Sequence, residues 1–261
     1  MKYGFIGCGN MGGAVARALS KVTQEIMITD RSGKARALAE ELGCIYTDVQ
    51  RVAQECDRIF LAVKPQMMAA VLAPLQPTLS ERKPVLITMA AGLSMAKIEA
   101  MAGTSLPVIR IMPNTPVSVG CGMTQYCCNS LVDQQTAASF LADMRYCGKL
   151  DALDEKLIDG ASALSGCGPA YMYMFIEALA DGAVACGLPR GKAIEYAAAT
   201  MSGAAEMVLQ TGQHPGTLKD AVCSPGGSTI AGLKALEEHG FRGAIIDCIS
   251  KAFKRSQELG K

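Results

Sequence analysis

The sequence predicts an α/β chain in which a doubly wound parallel sheet comes first and an all-α region follows. Short β-rich runs alternate with helically spaced segments over the first 110 residues, and a glycine-rich turn joins the first run to the first helix. Beyond about residue 150 the text becomes Ala, Gly, Met and Leu at helical spacing. The division is expected at residue 155, giving domains over 1–155 and 156–261.

The β-rich runs fall at Tyr3–Ile6, Ile26–Thr29, 59–63, 85–89 and Val108–Met112. In the first intervening segment Met11, Ala14, Val15, Ala18, Leu19 and Val22 share one helical face, a stripe that can lie on the sheet. Ala35, Leu38, Ala39 and Leu42 repeat the pattern after Ser32, a candidate N-cap. In the C-terminal half, Gly187-Leu188-Pro189, His214-Pro215-Gly216 and Ser224-Pro225-Gly226-Gly227 punctuate about five helices. Small residues such as Gly182, Ala183, Gly203, Ala204 and Ala205 allow those helices to approach closely. A helical domain this apolar is expected to bury its surface on a second copy, giving a homodimer or a higher homo-oligomer.

Composition removes several classes of function. The chain has 261 residues, half of them apolar, with 25 Lys+Arg against 24 Asp+Glu and a formal charge of +1. It has no disordered-tail composition and no basic surplus for nucleic acid. Mean hydropathy is +0.22, yet the longest uncharged run, from Arg110 to Asp133, is interrupted by Pro113, Asn114, Pro116, Gln125 and Asn129. No membrane span is expected there. The opening MKYGFIGCGN has no long apolar h-region, which predicts a soluble, cytoplasmic protein. The 11 cysteines are scattered and odd in number, so they are expected as thiols, and two histidines 25 positions apart predict no metal site.

Chemistry is carried by loops. Gly7-Cys8-Gly9-Asn10-Met11-Gly12 follows the first strand and opens the first helix, the context in which glycines let a pyrophosphate meet a helix N-terminus. Asp30 lies 18 positions beyond Gly12, near the spacing at which an acid reads a ribose hydroxyl. Asp30 favours NAD, whereas Arg31, Ser32, Lys34 and Arg36 can hold a 2′-phosphate. NADP is therefore read as the preferred coenzyme, with NAD as the alternative. Ala62-Val63-Lys64-Pro65 and Ala90-Ala91-Gly92 end two further strands, at the sheet edge where ligands bind. In Met112-Pro113-Asn114-Thr115-Pro116, Asn114 either offers its amide to a nicotinamide carboxamide or belongs to a plain turn. Ser224-Pro225-Gly226-Gly227-Ser228-Thr229 opens a helix, and reads either as an ordinary cap or as a pocket for a small carboxylate. No Ser-His-Asp set is evident, which fits hydride transfer to an already protonated imine better than chemistry needing a strong base.

With these loops in order, the chain resembles the pyrroline-5-carboxylate reductase family over essentially its whole length. The other shared motifs are Ser165-Gly166-Cys167-Gly168-Pro169-Ala170-Tyr171 and His214-Pro215-Gly216 leading to Leu218-Lys219-Asp220. The resemblance implies a dinucleotide-binding (Rossmann) domain, a helical domain that interlocks with a partner chain, and reduction of 1-pyrroline-5-carboxylate to L-proline, the last step of proline biosynthesis. It implies coenzyme contacts at Gly9, Asn10, Met11, Gly12, Arg31, Ser32, Ala62, Val63, Lys64, Pro65, Ala90, Ala91 and Gly92, to which the loops themselves add Gly7 and Asn114 as candidates. It implies substrate contacts at Ser224, Gly226, Gly227, Ser228 and Thr229, with Ser228 and Thr229 catalytic and the Thr229 hydroxyl on the ring nitrogen. Alternatives are a reductase of another small imine or of a 3-hydroxy acid, or a coenzyme-binding regulator without turnover.

Overall fold

A computed structural model describes residues 1–31 and 33–259. Ser32, expected as a helix cap and a coenzyme contact, lies outside the described residues. The chain forms two compact units: Met1–Cys167 joined by the end of the last helix from Ala252 on, and Gly168–Lys251.

In the first unit the strands are β1 (Tyr3–Ile6), β2 (Ile26–Thr29), β3 (Ile45–Tyr46), β4 (Arg58–Leu61), β5 (Val85–Thr88), β6 (Val108–Met112), β7 (Gly122–Cys128) and β8 (Gly148–Ala152). Between and after them run α1 (Asn10–Ser20), α2 (Lys34–Leu42), α3 (Val49–Glu55), α4 (Met68–Leu72), α5 (Gln76–Arg82), α6 (Met95–Ala102), α7 (Gln134–Asp143) and α8 (Glu155–Ser165). The sheet order is β3-β2-β1-β4-β5-β6-β7-β8. Strands β1 to β6 are mutually parallel, β7 is antiparallel to β6, and β8 runs parallel to β7. The order β3-β2-β1-β4-β5-β6 is the doubly wound arrangement, whose direction of winding reverses between β1 and β4 and opens a crevice at their carboxyl ends.

Alternation along each strand divides the core into two layers. Tyr3, Phe5, Ile28, Phe60, Ile87 and Ile109 pack on one face, under Val15 and Leu19 of α1 and Phe140 of α7. Met27, Ile59, Leu61, Leu86 and Val108 pack on the other, against Val52, Leu72, Leu79 and Ile98. A sheet covered on both sides explains why the parallel strands read as continuous apolar runs. The rings of Phe5 and Phe60 stack with centroids 4.4 Å apart at the centre of the first layer. Of the α1 stripe, Ala14, Val15, Ala18 and Leu19 are buried as its spacing predicts, Met11 is half-buried, and Val22 lies half-buried beyond the helix end.

Strands β3, β7 and β8 are absent from the sequence reading. β3 is two exposed residues, too short to carry a period. β7 and β8 extend the sheet beyond the parallel set, and β8 carries Lys149 and Asp151 without a continuous apolar face.

The second unit contains α9 (Gly168–Ala185), α10 (Arg190–Thr211), α11 (Pro215–Ala221), α12 (Ser228–Glu238) and the start of α13 (Phe241–Leu259). Its fully covered side chains are small, Ala180 and Ala193 among them. Large apolar ones face outward: Met174 is 74% exposed and Ile246 68%. Among the described residues no helix is long and apolar enough to cross a membrane.

Candidate active site

Parallel pairing carries the loops after β1, β4, β5 and β6 to one edge of the sheet. Gly7 has φ +96°, a region that L side chains rarely enter, and so turns the chain sharply at the end of β1. Gly12 packs the first turn of α1 against that loop. A Cβ at Gly12 would lie 2.5 Å from the Gly7 carbonyl oxygen and 2.8 Å from the Ala62 Cβ. Gly9 is the N-cap residue of α1, and a Cβ there would enter open space. Among the described residues no side chain caps this helix, and its first turn holds no acid. The result is a cradle of backbone amides at a helix N-terminus, suited to a pyrophosphate. The donors and the clearance both fit a dinucleotide.

A cavity of 680 Å³ extends from this cradle. Its walls include Gly7, Gly9, Asp30, Arg31, Ala62 and Lys64. Its far wall includes Tyr46, Asp48, Met67 and Pro74, which the sequence reading does not name. The missing signal was β3, whose carboxyl end must lie beside that of β2 in this topology. The Asp30 carboxylate accepts the Cys8 backbone N–H at 2.6 Å. Burial, reinforced by the negative charge of Asp30, pushes the Cys8 thiol up to about 12, so this residue brings no charge to the anion cradle.

The remaining edge loops continue past the cavity. Pro65 begins a 3₁₀ turn over Pro65–Met67, and Lys64 before it is exposed. Ala90 is buried beneath a turn in which Gly92 has φ +74°. Asn114 is buried and engaged at both ends of its amide. Its Nδ2 donates to the Ser165 carbonyl at 2.9 Å, and its Oδ1 accepts the Met123 N–H at 2.9 Å. Asn114 thus braces its loop against α8 and β7.

In the second unit, Gly226 has φ +66° and turns the chain into α12. Gly227 is the N-cap of α12 and donates its N–H to the Ser224 carbonyl at 3.0 Å. A Cβ on Gly227 would collide with the Ser224 Oγ. Ser228 and Thr229 are the first two helical residues and both are exposed. Among the described residues this helix start has no side-chain cap and no acid in its first turn, which leaves amides and two hydroxyls for an anion.

Two protein-family models match the chain. Residues 155–259 match pyrroline-5-carboxylate reductase dimerisation, and residues 2–92 match the family described as NADP oxidoreductase coenzyme F420-dependent. The pyrroline-5-carboxylate reductase of Escherichia coli (strain K12) is 41% identical over 266 residues, covering 100% of this chain and 98% of that protein. The chain belongs to the pyrroline-5-carboxylate reductase family. The reductase of Arabidopsis thaliana is 38% identical and covers 100% of this chain and 96% of its own length. A crystal structure of Plasmodium falciparum pyrroline carboxylate reductase with NADP bound superposes with a TM-score of 0.90 at 34% identity, covering 100% of this chain and 98% of that one. Among the described residues no three His, Cys, Asp or Glu side chains gather as a metal-holding group.

Proposed function

We propose that the chain reduces 1-pyrroline-5-carboxylate to L-proline with a nicotinamide dinucleotide, NADPH in preference to NADH. The observation that carries this reading is full-length membership of the reductase family, together with an uncapped glycine-rich helix start in each unit. When bound, the dihydronicotinamide supplies the hydride.

Everything else falls to the chain. The amides of Gly9, Asn10, Met11 and Gly12 neutralise the pyrophosphate at the α1 N-terminus, where the helix dipole adds to the hydrogen bonds. Arg31 and Ser32 take the adenosine end and its 2′-phosphate. Ala62, Val63, Lys64, Pro65, Ala90, Ala91, Gly92 and Asn114 border the nicotinamide side. The amides around Gly227, Ser228 and Thr229, shaped by Ser224 and Gly226, hold the substrate carboxylate. The Thr229 hydroxyl accepts the ring N–H of the protonated imine, orienting the C=N carbon for attack, while Ser228 helps fix the carboxylate. Positioning of this kind suffices because no proton need be abstracted from carbon.

The C-terminal helices pair with a second copy, which would cover outward-facing Met174, Leu209, Val222 and Ile246. A cytoplasmic location accompanies this reading, supported by the odd number of scattered cysteines. The test is direct. Purified protein given 1-pyrroline-5-carboxylate and NADPH should form proline as the coenzyme is oxidised, faster than with NADH at matched concentration. Absence of turnover with either coenzyme would overturn the assignment.

A further inference from the structure

Arg110 is the one charged residue of β6, and it is only 3% exposed. Its guanidinium lies between two carboxylates at the start of α8. One amino group donates to Asp159 Oδ1 at 2.6 Å and the other to Glu155 Oε1 at 3.5 Å. Among the described residues its Nε has no partner. A buried ion pair with an orphaned donor is poor value as stabilisation, since desolvation offsets most of the attraction. What such a pair provides is a fixed position for its partners.

The partner that matters is Glu155. The same Oε1 accepts the Met95 N–H at 2.7 Å, so a carboxylate from α8 satisfies the first amide of α6. Ser94 caps the other end of that turn, accepting the Lys97 N–H at 3.3 Å. Upstream, the buried Thr88 hydroxyl accepts the Ala90 N–H at 3.3 Å, and Thr88 pairs with Arg110 across β5 and β6. The Ala90-Ala91-Gly92 turn is therefore bounded by two fixed points, the Thr88 hydroxyl on the Ala90 N–H and, three residues past Gly92, the Glu155 carboxylate on the Met95 N–H. Arg110 is the group that aims Glu155. Without it, Glu155 and Asp159 would face each other as like charges, and Glu155 would swing toward water.

We propose that Arg110 is a positioning residue for hydride transfer, holding Glu155 so that the 90–92 turn presents a fixed floor to the nicotinamide. This rests on the coenzyme placement given above and adds a residue to it. Lysine keeps the charge at this position but loses the two-pronged geometry that reaches both carboxylates.

The test uses Arg110→Lys and Glu155→Gln in the full-length protein. Each is measured for NADPH dissociation constant by fluorescence titration without substrate, for kcat and KM, and for thermal midpoint. Arg110→Lys should weaken NADPH about fivefold and lower kcat about tenfold, with substrate KM within about twofold and the melt nearly unchanged. Glu155→Gln, whose amide oxygen can still accept the Met95 N–H, should keep more of both. A folded Arg110→Lys protein with unchanged NADPH affinity and kcat would overturn the proposal. So would losses that merely follow the fraction of protein unfolded. Should Arg110→Lys fail to fold, Glu155→Ala, which leaves the Met95 N–H without its acceptor, should weaken NADPH and lower kcat, and unchanged values in that variant would overturn the proposal equally. The substrate-free titration still reads the brace if the wild-type protein proves to reduce some other imine, so the two readings fail separately.

Discussion

The Asp30 carboxylate at the end of β2 accepts the backbone N–H of Cys8 in the glycine loop at 2.6 Å. One side chain thus shapes the glycine turn while presenting negative charge to the cavity proposed for the adenosine end. A 2′-phosphate meets that charge with repulsion, which Arg31 must outweigh. In Asp30→Ser the repulsion disappears and the loop loses an acceptor. Both coenzymes should bind less tightly in absolute terms, while the ratio of kcat/KM for NADPH over NADH should rise about tenfold, ~1.4 kcal/mol. Steady-state kinetics with each coenzyme decides it, and a ratio that falls would assign Asp30 to the loop alone.

Two glycines of one motif should fail differently. Gly9→Ala places a methyl group in open space, so its thermal unfolding should match the wild type while coenzyme affinity falls at least tenfold. Gly12→Ala drives a Cβ into the Gly7 carbonyl and Ala62, so it should lose stability as well, about 1–3 kcal/mol. Denaturant unfolding paired with coenzyme titration separates them.

Thr229→Ala removes the hydrogen bond proposed above to the reacting nitrogen. If that bond tightens in the transition state, kcat should fall on the order of 10–100-fold, about 1.4–2.7 kcal/mol, with little change in NADPH affinity. Single-turnover hydride transfer gives the measurement, and an unchanged rate removes Thr229 from the chemistry.

Alkaline stability follows from buried thiols. Burial raises Cys8, Cys56 and Cys147 from the ordinary 9.0 to about 12. Above pH 9 the unfolded thiols give up protons that the folded ones keep, so folding stability falls as pH rises toward 12. Each group contributes a slope of up to about 1.4 kcal/mol per pH unit in that window, and nothing below it. Urea midpoints measured from pH 8 to pH 11 should fall less steeply in Cys147→Ala than in the wild type. Parallel curves would contradict the assigned shift.

Much of this was legible in the chain as text. The 7–12 loop declared itself because a strand, a glycine-spaced turn and an apolar stripe stood in sequence, all local features. The doubly wound sheet followed from short β-rich runs alternating with helically spaced segments. Asn114 was harder, because its type and its prolines said only that a turn was there. The fold gives it two buried hydrogen bonds, to Ser165 and Met123, 51 and 9 positions away. Of the six helices from residue 155 onward, the first belongs with the sheet, the next four lie in the second unit, and the last runs from the second unit into the first.

By itself the sequence determined the doubly wound sheet, the two glycine-rich helix starts and the family, because each rests on contiguous residues whose spacing is set by backbone geometry. The tertiary structure alone decided which distant groups meet. Nothing near Arg110 announces that Glu155 and Asp159 will flank it, nor that Glu155 will reach the amide of Met95, since these contacts join residues 45, 49 and 60 positions apart. Buried charge is tolerated only where such partners converge, and that convergence is a property of the folded chain.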